Sequence, residues 1–371
     1  MIRRARGWRS DRRSGRHPSA LPGRRRAPCA SGIRDESGHT LTFMRRFAAL
    51  LAVPIAVLLA ACSSGSGSST GATASATSAG PVEVPSPVAS ADPMPTVSGS
   101  FGSKATITLP DAKPSGQFVV NTVSEGNGST VAKNDWVTVN YTAKNWTTGK
   151  DLPSSYDAGG KPQLYQAGSG GLVPALDQSV EGKKVGSRLL VVAPPAAGFG
   201  SQGNTALGIG ANDTVVFVLD IMQSVPQDAT ITGTMAEPPA DMPQVKDNGK
   251  AAPTITIPPG QAPPTDLQTF VLVKGDGKEV TSGQTLLVQY TGVVWADGKQ
   301  FDSSWSHGGA QALQVGTGSL IKGWDQALVG QTVGSRVMLV VPPSLGYGDK
   351  ASGSIPANST LVFVIDILEA V

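Results

Sequence analysis

A long segment of this chain is repeated about 148 residues further along the sequence. Three matched pairs show the repeat, at offsets of 149, 148 and 146 residues: Tyr141 with Tyr290, Arg188 with Arg336, and Phe217 with Phe363. Small deletions in loops account for the drift in offset. Solenoid units are far shorter than this period, so the repeat indicates a duplicated domain.

The charge of the chain is unevenly divided. The 371 residues carry a net charge of +3, but residues 1–46 alone carry +10, so the remaining residues carry −7. A nucleic-acid-binding domain needs Lys and Arg clustered on its folded part. The acidic balance of the repeated region therefore argues against a nucleic acid partner.

Cysteine and histidine are scarce. Cys29 and Cys62 both precede the repeats, and His307 is the single histidine after residue 62. Disulfides therefore cannot hold the repeats together. The sequence also lacks the residues for a His/Cys zinc site or a His-dependent nucleophilic triad. We expect neither a metal nor a cofactor.

The sequence before the repeats has the composition of an export signal. Residues 44–61 combine two arginines with a short apolar run, which is typical of a signal peptide. Leu59-Ala-Ala-Cys62 resembles the bacterial lipobox, which implies cleavage before Cys62 and lipidation of its sulfur. Residues 62–105 then predict a flexible Ser/Gly/Ala/Pro-rich tether. An ordinary secretory signal and twin-arginine export are alternatives.

These features predict a protein anchored by lipid to the outer face of the cell membrane. Residues 1–43 are rich in arginine and precede a plausible start at Met44. They are interpreted as a mis-called start or an overlong leader, with a genuine basic tail as the alternative.

Each repeat predicts a sheet and one short helix. Alternating or continuous apolar runs predict strands at 136–141, 188–193 and 215–220, and again at 285–290, 336–341 and 361–366. Helices are predicted at 174–181 and 323–329, each followed by a glycine suited to a helix end. Residues 106–226 and 263–371 are thus two α+β domains, each an antiparallel sheet wrapped around one helix. The Pro/Gly-rich residues 227–262 are predicted to be an interdomain linker.

The ordered motifs of the second repeat resemble the FKBP family, the macrolide-binding peptidyl-prolyl isomerases. They are Tyr290-Thr-Gly, Gly298-x-x-Phe-Asp-Ser-Ser, Leu320-Ile-x-Gly-Trp, Gly334-Ser-Arg, Pro342-Pro-x-x-Gly-Tyr-Gly, Ile355-Pro and Leu361-Val-Phe, over about 105 residues. The resemblance implies an apolar pocket between sheet and helix. Its members would be Tyr290, Phe301, Asp302, Leu320, Ile321, Trp324, Tyr347, Ile355 and Phe363.

The resemblance also implies roles for these residues. Trp324 would form the floor of the pocket, while the Ile321 amide and the Tyr347 hydroxyl would bind carbonyl groups of the substrate. Asp302 would act electrostatically beside Tyr290; a solvated loop carboxylate is the alternative. The sequence departs from the family at Gln311, where an aromatic residue is common, and at His307, where arginine is usual. His307 is expected to face solvent.

The first repeat keeps the order and spacing of the motifs but lacks several of the predicted pocket residues. Five positions differ from the second repeat: Leu152 for Phe301, Pro153 for Asp302, Leu176 for Trp324, Phe199 for Tyr347 and Gly210 for Pro356. Weak or absent isomerase activity is therefore expected in the first domain.

The sequence favours a peptidyl-prolyl cis-trans isomerase that assists folding of exported proteins and acts mainly through its second domain. Its partners would be proline-containing polypeptides, the membrane through Cys62, and possible macrolide ligands. A non-catalytic chaperone or binding module for proline-containing segments is the alternative, and a surface lipoprotein that keeps only the fold is a third hypothesis.

Overall fold

The computed structural model describes residues 83–371. The predicted leader, the signal peptide, Cys62 and the first part of the tether lie outside the described residues. Within residues 83–371, no helix is both long enough and apolar enough to cross a membrane.

The described residues form the same architecture twice. The elements of the first copy are β1 Thr96–Ser98, β2 Thr106–Thr108, β3 Val119–Ser124, β4 Trp136–Asn145, β5 Asp151–Leu152, β6 Gln163–Gln166, α1 Pro174–Asp177, β7 Arg188–Ala193 and β8 Val215–Val225. Those of the second are β9 Gln244–Asn248, β10 Ala251–Thr256, β11 Gln268–Val273, β12 Thr285–Val294, β13 Gln300–Ser303, β14 Gln311–Gln314, α2 Lys322–Leu328, β15 Arg336–Val341 and β16 Leu361–Ala370. Short 3₁₀ turns span Thr205–Leu207, Ser304–His307 and Pro343–Leu345.

Both large sheets have the same strand order. The first runs β3-β7-β8-β4-β5, with β6 also paired to β4, and the second runs β11-β15-β16-β12-β13, with β14 also paired to β12. All these pairs are antiparallel. The shared order confirms the predicted α+β class and the duplication.

The central strands are buried on both faces, which explains their continuous apolar runs. In β15, Val337, Leu339 and Val341 belong to the cluster beneath the helix, whereas Met338 and Val340 belong to a cluster on the opposite face. Successive side chains of a strand point to opposite faces, so both sets are buried only because each face has a cover. Helix α2 covers one face, and a hairpin covers the other.

Each covering hairpin comes from the segment upstream of its domain. Strands β1 and β2 pair around Val97 and Ile107, and strands β9 and β10 pair around Val245 and Ile255. Their apolar side chains lie in the outer clusters of the two sheets. The predicted linker at 227–262 therefore contains part of the second domain's fold. The predicted tether likewise contains β1. Removing the apolar outer face of the sheet from water favours this packing.

A buried ion pair fastens each sheet to its hairpin. Arg188 donates to Asp220 at 2.7 Å through Nε and at 2.7 Å through Nη2. The same guanidinium donates to the Gly99 and Ser103 carbonyls of the first hairpin. In the second domain, Arg336 pairs with Asp366 in the neighbouring strand and with Asp247 of the hairpin at 3.1 Å. The arginine of the Gly-Ser-Arg motif thus has a structural role in both domains.

The first helix is shorter than predicted. Helix α1 ends at Asp177 rather than Glu181, whereas α2 covers nearly all of its predicted range. The position of Ala327 in α2 is taken by Ser179 in the first domain, and the Ser179 hydroxyl donates to the Leu176 carbonyl at 3.4 Å. Serine competes in this way for backbone groups, while alanine is the best helix former.

Candidate active site

Helix α2 presents Trp324 to the inner face of the second sheet. A Cβ atom on Gly323 would lie 2.6 Å from Cγ1 of Val341, so glycine is needed for the helix to approach β15 this closely. Trp324 is 5% exposed and its indole N–H has no hydrogen-bond partner within the described residues. The tryptophan therefore lies buried between helix and sheet, in the place expected for the floor of the pocket.

Three edge-to-face contacts build an aromatic box above this floor. The Tyr290 and Trp324 ring centroids are 5.4 Å apart, those of Trp324 and Phe363 5.2 Å, and those of Phe301 and Phe363 5.5 Å, with interplanar angles of 83°, 86° and 90°. Such geometry matches the charge distribution of aromatic rings and adds to the gain from burial. The four rings thus form well-defined apolar walls.

Two loops complete the pocket. Leu320 and Ile321 precede helix α2, Tyr347 follows the turn Pro343–Leu345, and Ile355 lies in the next loop. All belong to one apolar cluster with the four aromatic residues. The structure therefore brings together every predicted site residue, including Asp302, which hydrogen bonds to Tyr290.

Asp302 is held by three donors at the edge of the box. It accepts from the Tyr290 hydroxyl at 2.8 Å and from the Ser303 amide at 2.8 Å, and it lies 2.7 Å from Nε2 of His307. Its side chain is only 16% exposed, so the alternative of a solvated loop carboxylate does not describe it. His307 is half exposed, as expected, but its ring is paired with Asp302, which the sequence analysis did not predict.

Two donors remain free at the mouth of the pocket. Within residues 83–371, neither the Ile321 amide nor the Tyr347 hydroxyl takes part in a hydrogen bond. Both groups belong to half-buried residues beside the Trp324 floor. An apolar aromatic cluster with two unused donors beside it is suited to a ligand with an apolar ring flanked by carbonyl groups.

Burial raises the pKa of all five tyrosines above the ordinary value of 10.0. For Tyr290 and Tyr347 the negative charge of Asp302 adds to this effect. Because each folded-state pKa lies above its unfolded value, the phenols stay protonated at pH 10. The stability tied to these protons is lost only as the pH rises further.

We therefore expect less phenolate absorbance at 295 nm from the folded protein at pH 10 than from the unfolded chain. Unfolding in denaturant at the same pH should raise the absorbance to about half the signal of five phenolates, because an exposed tyrosine has a pKa near 10. A folded-state transition centred at pH 10 with the amplitude of one or more tyrosines would contradict the burial of those rings.

A sequence model of the family described as FKBP-type peptidyl-prolyl cis-trans isomerase matches residues 127–222 and 277–368. The chain belongs to this family. An FK506-binding protein of Streptomyces anulatus is 42% identical over 112 residues, which are 30% of this chain and 90% of the relative. A probable FK506-binding protein of Corynebacterium glutamicum is 40% identical over 118 residues, 32% of this chain and 98% of the relative.

Among solved structures, FkpA from Escherichia coli is 36% identical to this chain, with 29% of this chain and 48% of that chain covered and a TM-score of 0.27. The curated relatives each match about one domain of the chain, and the family model matches it twice. The protein is thus a peptidyl-prolyl isomerase of the FKBP type that carries two FKBP domains.

The first FKBP domain retains only a remnant of the pocket. Its cavity has a volume of about 30 Å³, the space of a single water molecule. The lining residues are Tyr141, Ala143, Leu152, Pro153, Phe199, Leu207, Ile209 and Phe217. Leu176 stands where the second domain has Trp324, so the aromatic floor is missing. The loss of this floor is the physical reason for expecting weak or absent activity in the first domain.

One residue of the site was missed by the sequence analysis. Gly292 lies on β12 opposite Phe363, and a Cβ atom there would lie 2.6 Å from Cζ of Phe301 and 2.9 Å from Cε1 of Phe363. The first FKBP domain has Ala143 at this position and Leu152 in place of Phe301. The paired difference between the repeats was the signal that could have identified Gly292 as a pocket residue.

Proposed function

We propose that the second domain carries the isomerase activity of this protein. The observation that supports it is the aromatic box of Tyr290, Phe301, Trp324 and Phe363, closed by Tyr347. The first domain has Leu176 in place of Trp324 and Leu152 in place of Phe301, so its cleft lacks two of these aromatic rings. The substrates are polypeptides with X-Pro bonds, the class on which the family acts.

The proposed mechanism needs only binding and desolvation. Rotation about an X-Pro bond has a barrier of about 18–20 kcal/mol, because twisting the bond removes amide resonance. The twisted state has a less polar carbonyl group than the planar amide. A dry aromatic box therefore stabilises the twisted state relative to the planar one. The Ile321 amide and the Tyr347 hydroxyl hold neighbouring carbonyls, and Trp324 limits the positions of the prolyl ring.

Isomerisation of a proline tetrapeptide by the full chain tests this assignment. Tyr347→Phe, which copies Phe199 of the first domain, should lower kcat/KM by about two- to tenfold, since it removes one hydrogen bond worth roughly 0.5–1.5 kcal/mol. Tyr141→Phe removes a tyrosine hydroxyl from the cleft of the first domain, where Tyr141 is the counterpart of Tyr290, and should have no effect. Equal losses from both variants would assign activity to both domains. Peptide binding without turnover by the unaltered protein would favour the alternative of a non-catalytic binding module.

We further propose that the protein works on exported polypeptides at the outer face of a bacterial cell membrane. The support comes from the sequence alone: the signal peptide at 44–61, the lipobox that ends at Cys62 and the Ser/Gly-rich residues that follow. Mass spectrometry of the membrane fraction should detect a lipid on Cys62. Cys62→Ser should abolish the modification and release the protein from the membrane, and an unmodified Cys62 in membrane-bound protein would refute the anchor.

The same pocket is the proposed site for a macrolide of the FK506 type, the ligand that gives the relatives their names. The aromatic box supplies the apolar walls that such a ligand needs. The rim differs from the usual family pattern at His307 and Gln311, and the Gln311 amide donates to the Gly309 carbonyl at 2.9 Å. Because the aromatic walls are retained, we expect FK506 to compete with the tetrapeptide for this pocket. Inhibition that is not competitive would place the ligand elsewhere.

A further inference from the structure

The two FKBP domains share an apolar cluster beside the second pocket. Trp136 and Leu164 of the first domain pack with Leu287, Ala310 and Leu368 of the second. Val225, Ala229 and Ile231, from the end of β8 and the connection between the domains, complete the cluster. The first domain is therefore in direct contact with residues of the second domain that lie close in sequence to site residues, such as Leu287 near Tyr290.

A hydrogen bond from the first domain ends on the loop that carries His307. The Trp136 indole N–H donates to the Ala310 carbonyl at 3.1 Å. Ala310 is fully buried and closes the segment 304–310, which we name the 304–310 loop; it begins two residues after Asp302. The loop is thus attached to the pocket at one end and to the first domain at the other.

The segment that connects the two domains also binds the 304–310 loop. The Gln227 carbonyl accepts from the Ala310 amide at 3.0 Å and from Nε2 of Gln289 at 3.1 Å. Gly309 has a φ of +117°, and a Cβ atom there would lie 2.3 Å from the Gln227 oxygen. Glycine is therefore required for the loop to sit directly on this carbonyl.

Gln289 carries this contact into the pocket. It is fully buried, and its side-chain oxygen accepts from the Ser304 hydroxyl. The Ser304 oxygen in turn accepts from the Tyr290 amide at 2.9 Å. A continuous series of hydrogen bonds thus joins the Gln227 carbonyl to Tyr290, whose hydroxyl is bonded to Asp302. Linked hydrogen bonds of this kind restrict one another's geometry.

The first domain lacks the corresponding connection. Asn140 occupies the place of Gln289, and its side-chain oxygen accepts from the Ser155 hydroxyl at 2.9 Å. Its side chain is one methylene shorter and the residue is half-buried. The longer glutamine of the second repeat is what reaches both Ser304 and the chain between the domains.

We propose that the first domain is a positioning element for the pocket of the second. Trp136 and Gln227 hold the 304–310 loop, and the loop together with Gln289 sets the arrangement of Tyr290, Asp302 and His307. This inference rests on the proposed activity of the second domain. It assigns a role to a domain whose own cleft lacks the aromatic floor, because Leu176 replaces Trp324.

Trp136→Phe in the full chain is the first test, because it keeps the apolar ring and removes the indole N–H. Amide exchange at Gly309 and Ala310 should accelerate about two- to tenfold, the equivalent of one hydrogen bond. KM for the proline tetrapeptide should rise by a similar factor with kcat unchanged, because the wall of the pocket moves. Loss of folded protein alone would lower the apparent kcat and leave KM unchanged.

Trp146→Phe is the matched control. Trp146 lies in the outer cluster of the first domain, and its indole N–H donates to the Ala112 carbonyl at 3.2 Å. This variant should leave loop exchange and KM as they are. An equal rise in KM in both variants, or a change in kcat alone in Trp136→Phe, would overturn the proposal. Unchanged exchange at Ala310 in Trp136→Phe would also overturn it.

Gly309→Ala perturbs the contact between the 304–310 loop and Gln227 from the side of the loop. Its effect should be larger, because the new Cβ atom displaces the Gln227 carbonyl. It should raise KM more than Trp136→Phe does, and an unchanged KM with faster loop exchange would overturn the proposal. If the unaltered protein fails to catalyse isomerisation, the proposed function fails by itself. The dissociation constant of the same tetrapeptide, measured by NMR titration, then replaces KM in each comparison.

Discussion

Asp366→Ala should lower the free energy of unfolding of the second domain by about 3–5 kcal/mol. The side chains of Arg336 and Asp366 are 1% and 2% exposed, and they form two parallel hydrogen bonds at 2.5 Å and 2.8 Å. Removing the carboxylate leaves a guanidinium buried beside the sheet with too few acceptors. The hairpin β9–β10, which Arg336 contacts through Asp247, should open with it.

Amide exchange of strands β15 and β16 measures this loss directly, because the most protected amides exchange through unfolding of the whole domain. Asp220→Ala removes the equivalent partner of Arg188 and should act on the first domain in the same way. Asp228→Ala breaks an exposed ion pair with Lys250 and should cost less than about 1 kcal/mol. A loss from Asp366→Ala as small as that of Asp228→Ala would refute a structural role for the buried pair.

Replacing both partners with apolar residues separates two explanations of that loss. Arg336→Met together with Asp366→Leu leaves no unpaired charge in the interior, so stability should recover largely. If the double variant is as unstable as Asp366→Ala, the lost stability comes from detachment of the hairpin and not from the unpaired charge of Arg336.

Gly292→Ala should destabilise the second domain by about 1–3 kcal/mol and lower kcat/KM by more than tenfold. The new Cβ atom overlaps the ends of the Phe301 and Phe363 rings. Phe301 is half-buried at the pocket wall, so its ring has to turn out of the box to relieve the overlap. The edge-to-face contact of the two phenylalanines is then lost, and so is one wall of the pocket.

A double variant separates the effect of Gly292 on stability from its effect on catalysis. Gly292→Ala with Phe301→Leu copies Ala143 and Leu152 of the first domain, where the two residues coexist. We expect stability to recover relative to Gly292→Ala while kcat/KM stays low, measured by denaturant unfolding and by the tetrapeptide assay. Ala143→Gly in the first domain is the control and should leave kcat/KM unchanged. Recovery of activity in the double variant would show that Phe301 is dispensable.

The pocket residues were predictable because each motif holds its residues close together in sequence. Leu320, Ile321 and Trp324 lie within five positions of one another, so the start of the short helix brings all three to the sheet together. The strands β7, β8, β15 and β16 were likewise evident as apolar runs. For such segments, local pattern and tertiary packing favour the same structure.

The hairpins were not predictable from composition. Residues 244–256 are polar and rich in turn-forming residues, which is typical of a linker. Their strands form because Ile255 covers the outer face of the sheet and Asp247 meets Arg336, 89 positions later in the chain. The alternation Thr254-Ile-Thr-Ile257 indicates an extended segment, but nothing within the segment indicates either of these contacts. The pairing of His307 with Asp302 was missed for a similar reason, since a turn brings them together.

The sequence by itself determined the duplication, the α+β class, the family and the nine residues of the second pocket, because these depend on order and on local pattern. Only the tertiary structure decided which segments cover the outer faces of the sheets, why Gly292 is required, and how Trp136 and Gln227 contact the 304–310 loop. Those features depend on distances between residues far apart in the chain, which are defined only when the sheets have packed.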